Sequence, residues 1–201
     1  MMNKLIEKAK TFVWDVFAGD SSGHDVYHTL RVHALARNIA IDEGARVDIV
    51  ELAALLHDVD DHKLSPETAE NKDRAVGFLR REGVDEATIA AIVSIIDQIS
   101  FSRNTLPPDT LEGMCVQDAD RLDAMGAIGI ARTFAFGGSH GREIYDPSGK
   151  DSGSSIQHFY DKLLLLNERM NTATAARLAQ QRHEFLQAYL DEFLLEWNGK
   201  R

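Results

Sequence analysis

One cysteine in 201 residues, Cys115, leaves no partner for an internal disulfide and excludes a zinc site built from cysteine thiolates. Set between Met114 and Val116 in a helical pattern, it reads as core filling rather than as a nucleophile. Long apolar runs are missing as well. No stretch approaches the ~20 apolar residues of a membrane-crossing helix. The N-terminal MMNKLIEKAKTFVWDVF alternates charge with apolar residues where a signal peptide would be uninterrupted. The expected setting is cytoplasmic, with no membrane partner. Basic residues are in deficit: 22 Lys and Arg stand against 32 Asp and Glu, for a formal charge of −10. A protein that grips nucleic acid through its phosphates needs the opposite balance, so nucleic acid is not an expected partner. A small phosphorylated ligand remains compatible if a cation and a few Lys or Arg side chains line its pocket.

Strand-like alternation is scarce, and no internal repeat or low-complexity tract is present. What fills the chain is helical periodicity. Leu5, Ala9, Phe12, Val13, Val16 and Phe17 predict a first helix that ends before Gly19-Asp20-Ser21-Ser22-Gly23. A second begins near His24, carries Val32, Leu35, Ala36 and Ile39 on one face, and stops at Gly44. A third runs from about Val47 through ELAALLHDVDD, apolar enough to lie at the centre of the core. Ser65-Pro66 reads as an N-cap with proline at the first helical position, opening a helix to about Arg81 that Gly83 stops. Further helices are predicted from Asp85 to about Ile99, from Thr110 to Met125, and over AIGIARTFAF. Glycines and serines between Gly137 and Ser155 mark a long loop, mobile or closing over something. Two helices follow, about Ile156–Met170 and Thr172–Trp197, the last with Leu178, Phe185, Leu186, Tyr189, Leu190, Phe193 and Leu194 at core spacing. The expected architecture is all-α: one multi-helix bundle over residues 1–201, with a core at 20–127, a flexible loop at 137–155, and C-terminal helices 154–197 packed on the core.

His-Asp occurs twice, at His24-Asp25 and His57-Asp58, about as often as chance allows, so context has to sort them. His24-Asp25 follows SSG at a helix start, where a solvated cap explains it as well as a function does. His57-Asp58 directly follows the apolar run Leu52–Leu56, and Asp60 and Asp61 crowd the same turn. Clustered carboxylates beside a buried helix repel one another unless a cation joins them. A metal ion would serve; a salt-bridge network is the alternative, with Lys63 the one nearby cation in sequence. His28 shares the inward face of Val32, Leu35 and Ile39, whereas His33 falls off that stripe and is expected at the surface. A lone inward histidine is a core residue unless other ligands meet it. Further on, Val116, Asp120, Asp123 and Ala127 share a face, and Asp118, Asp120 and Asp123 crowd together. Some of these acids would meet a cation and others an arginine such as Arg121. Two imidazoles and two carboxylates with no thiolate suit a divalent ion of intermediate hardness: Mn²⁺, Fe²⁺, Mg²⁺ or Zn²⁺.

Taken in order, these residues resemble the HD superfamily of metal-dependent phosphohydrolases, whose pattern is H…HD…D on separate helices. The first histidine matches His28 in GHDVYHTLRV, the doublet matches His57-Asp58 in LAALLHDVDDHK, and the last aspartate matches Asp120 in QDADRLDAMGAIG. Together with the YDP-containing loop and SIQHFYDKLL, these stretches look like one bacterial subfamily of small stand-alone HD hydrolases. The resemblance spans nearly the whole chain. It implies an HD-type helical domain and a metal held by His28, His57, Asp58 and Asp120, with Mn²⁺ favoured. It also implies hydrolysis of (d)NTPs to the monophosphate and pyrophosphate by metal-activated water. Dephosphorylation of a nucleoside monophosphate, or nucleotide sensing without turnover, are the alternatives. Members with a dinuclear site carry two more histidines between the doublet and the last aspartate; only His62 lies there, which favours one ion and hydrolysis over oxygen activation.

The resemblance also places an acid at Asp61, four residues after His57, to position or deprotonate the attacking water. A capping carboxylate is the other reading. Lys63 and Arg103 are candidates for neutralising substrate phosphate, or plain solvated charges. Arg31, one turn after His28, is placed to orient Asp120 or Asp118, and Asp123 to do the same for Arg121. The expected partner is a small-molecule nucleotide, and homo-oligomerisation stays open.

Overall fold

The computed structural model describes residues 2–18, 26–60, 67–99, 106–148 and 153–201. Among them all regular structure is helical, as the patterning predicts. The chain divides into two compact units, Met1–Ala119 and Asp120–Arg201, and the division falls inside one helix.

The first unit is organised around α3 (Val47–Leu56). Ile49, Val50 and every residue from Leu52 to Leu56 are at most 3% exposed. Pressed on by α1 (Met2–Val16), α2 (Val26–Glu43) and α5 (Glu86–Ile99), α3 has no solvated face from Leu52 onward, which is why its apolar residues there show no stripe. Each fully buried leucine here contributes about 2–5 kcal/mol relative to alanine. Gly44 ends α2 at φ 74°, with the Ala45 amide donating to the Ala40 carbonyl. Gly83 closes α4 (Asp73–Arg81) at φ 76° in the same manner. The start of α4 differs from expectation. Ser65 and Pro66 lie outside the described residues, and the helix opens only at Asp73, after Lys72 at φ 55°. Its first turn is capped from a distance: the Arg74 and Ala75 amides donate to the two oxygens of Asp60 at 3.1 and 2.9 Å. Asp85 caps α5, accepting from the Thr88 amide at 3.0 Å.

His33 is a second departure. Expected at the surface, it is buried, with Nε2 3.0 Å from Glu51 Oε1, while Arg37 Nε lies 3.4 Å from the same oxygen. Because α2 packs against both α1 and α3, its buried face is wider than one stripe.

The second unit holds the end of α6 (Leu111–Asp123), α7 (Gly126–Ser139), α8 (Ser155–His158) and α9 (Ala173–Trp197). Gly126, at φ 69°, makes the corner between α6 and α7, and a side chain there would press on Arg182. Helix α7 continues through Gly137, Gly138 and Ser139, which the sequence assigns to the loop. The helix expected over 156–170 is broken instead into α8, a π-turn at Phe159–Leu163 and a 3₁₀ segment at Leu164–Arg169. Ser154 and Thr172 cap α8 and α9 through their side chains. Along α9, Ala175, Ala179, Leu186 and Leu190 face inward, and Phe185, one residue off that stripe, is 52% exposed rather than core. Tyr189 stacks on Phe159 at 5.8 Å, and Phe193 stacks on Trp197 at the same spacing.

Candidate metal centre

His28 sits on the inner face of α2 and is 1% exposed. The periodicity predicts a helix running on through the His57-Asp58 doublet. The helix closes at Leu56 instead, and residues 57–60 form a turn in which the Val59 amide reaches back to the Leu56 carbonyl. Asp60 explains the change: its carboxylate is drawn to the start of α4, and the chain leaves the α3 axis to deliver it there. Asp60 therefore caps a helix, and the acid cluster is smaller than the sequence suggests.

The turn places the doublet. His57 Nδ1 lies 2.8 Å from the Ala54 carbonyl oxygen. A carbonyl only accepts, so Nδ1 carries the proton and Nε2 of a neutral ring offers its lone pair. That Nε2 is 3.2 Å from Asp58 Oδ2, and His28 Nε2 is 3.5 Å from the same oxygen. The two imidazoles meet edge to face, with centroids 5.5 Å apart. A lone pair facing a carboxylate oxygen is repulsive until a cation joins them. Helix α6 runs unbroken through the division of the chain and carries Asp120, whose carboxylate offers an oxygen within 4.8 Å of a ring nitrogen of His28 and of His57. These three residues can hold a metal ion.

The remaining candidates fall as follows. Arg31 is half-buried one turn beyond His28. Asp118 is fully buried on α6, and Asp123 is 1% exposed. Asp123 Oδ2 accepts from Arg132 Nη1 at 2.7 Å, whereas Arg121 donates to the Arg169 carbonyl and Arg182 to the Leu122 carbonyl. Asp61, Lys63 and Arg103 lie outside the described residues, as do His24, Asp25 and His62. Two participants escape sequence reading. The Ala54 carbonyl is invisible to it because any residue supplies one, and Arg132, nine residues after Asp123, falls on a different helix. Cys115 is fully buried, and burial pushes its thiol up to about 12, so it is no nucleophile at neutral pH.

A helical chain that brings two imidazoles and a carboxylate together from three separate elements has a ligand set that could hold a metal ion. The HD-domain family model matches residues 25–125, and the chain belongs to that family. YpgQ of Bacillus subtilis (strain 168) is 44% identical over 191 residues, covering 91% of this chain and 89% of its own. A crystal structure of YpgQ in complex with ADP superposes with a TM-score of 0.81 at 40% identity, covering 94% of this chain and 95% of that one. That of an HD-superfamily hydrolase from Bacillus thuringiensis gives 0.84 at 41% identity, over 98% and 99%. Among the described residues no helix is long and apolar enough to cross a membrane.

Proposed function

We propose that this chain is a metal-dependent phosphohydrolase of nucleotides, cleaving (d)NTPs to the monophosphate and pyrophosphate at one ion held by His28, His57, Asp58 and Asp120. The observation that carries the reading is the convergence of His28 Nε2 and His57 Nε2 on Asp58 Oδ2, with Asp120 completing the group. The donor set fits the ion. His57 is locked by Ala54 in the tautomer that ligates through Nε2, and two imidazoles with carboxylates suit Mn²⁺, with Mg²⁺, Fe²⁺ and Zn²⁺ as competitors. Such an ion, when bound, polarises a phosphoryl oxygen and acidifies water. The chain's own residues do the rest. Asp61 takes the proton of the attacking water, whose oxygen adds to phosphorus as the bond between the α- and β-phosphates breaks and pyrophosphate leaves. Lys63 and Arg103 balance the phosphate charge. Arg31 and Asp118 hold the ligands in orientation, and Asp123 anchors the last turn of the helix bearing Asp120. The ADP complex of YpgQ supports a nucleotide as the ligand class.

The test uses purified protein stripped of metal and reloaded with each of the four ions, offered a nucleotide panel while phosphate and pyrophosphate are measured separately. Pyrophosphate release from triphosphates, abolished by Asp58→Ala, is the expected result. Phosphate release from monophosphates would establish the phosphatase alternative, and nucleotide binding without turnover the sensing alternative. Metal analysis should find about one ion per chain; a value near two rejects the mononuclear site.

A further inference from the structure

We propose that the second unit carries a separate binding site, formed by α7, α9, residues 142–144 and the first residue of α8, for a flat aromatic carboxylate, and that this site works without the metal. A cavity of about 390 Å³ opens there, within the range of small-molecule sites. Its walls are Phe134, Tyr189 and Phe193, with Ile144 beside them. The ring of Tyr189 stands 6.2 Å from each of the other two, inclined at 62° to Phe134 and 34° to Phe193, so the apolar surface is aromatic on more than one side. Two backbone bonds tie residues 143–144 to the start of α8: the Ser155 amide to the Glu143 carbonyl and the Ile156 amide to the Ile144 carbonyl, both 2.9 Å.

Besides the Tyr189 phenol, two polar side chains line this aromatic space. The Arg142 guanidinium lies over the Phe136 ring at 5.0 Å and has no acidic partner among the described residues. In a chain of charge −10, an arginine left without a carboxylate beside an apolar cavity marks a place for an anion. The local charge agrees. Burial lowers His158, the positive charges of Lys162 and Arg142 push it the same way, and Asp161 offsets only part of the shift. Ser155, 3% exposed, also lines the cavity, and no hydrogen bond joins its hydroxyl to a described residue. Gly137 leaves room for that hydroxyl, since a Cβ there would stand 2.2 Å from Oγ. One guanidinium and one hydroxyl suffice for a carboxylate. Even with the Tyr189 phenol they fall short of the several donors and acceptors on a nucleobase edge, which would lose hydrogen bonds to water. None of the lining residues belongs to the metal group.

The probe is 1-naphthoate, titrated calorimetrically into the full chain in excess EDTA, with 1-naphthalenemethanol as its uncharged counterpart and AMP as the nucleotide control. One naphthoate should bind per chain, with the same affinity when Mn²⁺ replaces EDTA. Arg142→Gln should weaken it about tenfold while leaving the alcohol unchanged, as expected for one charged hydrogen bond. Gly138→Leu should abolish binding of both, because a side chain at Gly138 meets nothing within 4 Å and fills the cavity instead of distorting the helix. Unfolding midpoints of both variants check folding; Arg142 is exposed, so its variant decides the matter if the other fails to fold. Naphthoate affinity indifferent to Arg142→Gln, binding that requires Mn²⁺, or AMP binding in EDTA that Arg142→Gln weakens would each overturn the proposal.

Discussion

Replacing Arg132 by methionine keeps most of the side-chain volume and removes the charge that faces Asp123. The Asp123 side chain is 2% exposed and Arg132 Nη1 stands 2.7 Å from Oδ2. At that separation and an effective dielectric of about 20, the gross attraction is about 6 kcal/mol. Desolvating the pair and ordering the arginine offset much of it. Stripping the partner from a buried carboxylate costs about 3–5 kcal/mol where burial is complete. Here the Arg132 side chain is 27% exposed, so water softens the site, and the half-buried Arg182 keeps a positive charge near Asp123. The expected loss is therefore about 2–3 kcal/mol. Asp123→Asn leaves an arginine that can turn to water, and should cost about 1 kcal/mol. Combining both changes should cost less than the sum, because the double variant buries no unpaired charge. Urea unfolding of the four proteins at neutral pH measures each value. An Arg132→Met protein within about 0.5 kcal/mol of wild type, the range of an ordinary surface change, would refute the reasoning. So would a larger loss from Asp123→Asn than from Arg132→Met.

Two further outcomes can be checked on the same material. Burial lowers the pKa of His33, Glu51 pulls part of the way back, and Lys10 and Arg37 push with burial. The folded chain thus favours the neutral ring, and this contribution is complete above the ordinary value of 6.5. As pH falls from there towards the lower folded value, the unfolded chain takes up the proton first and stability drops. His33→Gln should flatten the fall in the urea midpoint across mildly acidic pH; an unchanged slope would show that His33 is not responsible. Cys115, its thiol raised to about 12 chiefly by burial, with Asp118, Glu43 and Glu112 adding to the effect, should resist an aromatic disulfide reagent at mildly alkaline pH in the native state. It should react once urea unfolds the chain, and equal rates in the two states would contradict its burial.

Period and punctuation were enough for the helical class. The run Leu52–Leu56 could only be a helix covered on all sides, and Gly44 and Gly83 announce helix ends because a positive φ is easy for glycine alone. The doublet His57-Asp58 was legible for a similar reason: acids beside a buried helix need company. Other features were decided by groups far away in sequence. The α3 helix stops before the doublet because Asp60 is claimed by amides at positions 74 and 75, and no window of local sequence contains that bond. His33 is buried because α2 meets two neighbours and Glu51 waits on α3. His28 and Asp120 follow the same logic. Each lies on a face that sequence identifies, but a face is only a direction. Packing brings their ligand atoms within 4.8 Å of one another and of His57, residues far apart in sequence. Sequence determined which residues could serve as ligands; tertiary structure decided which of them meet.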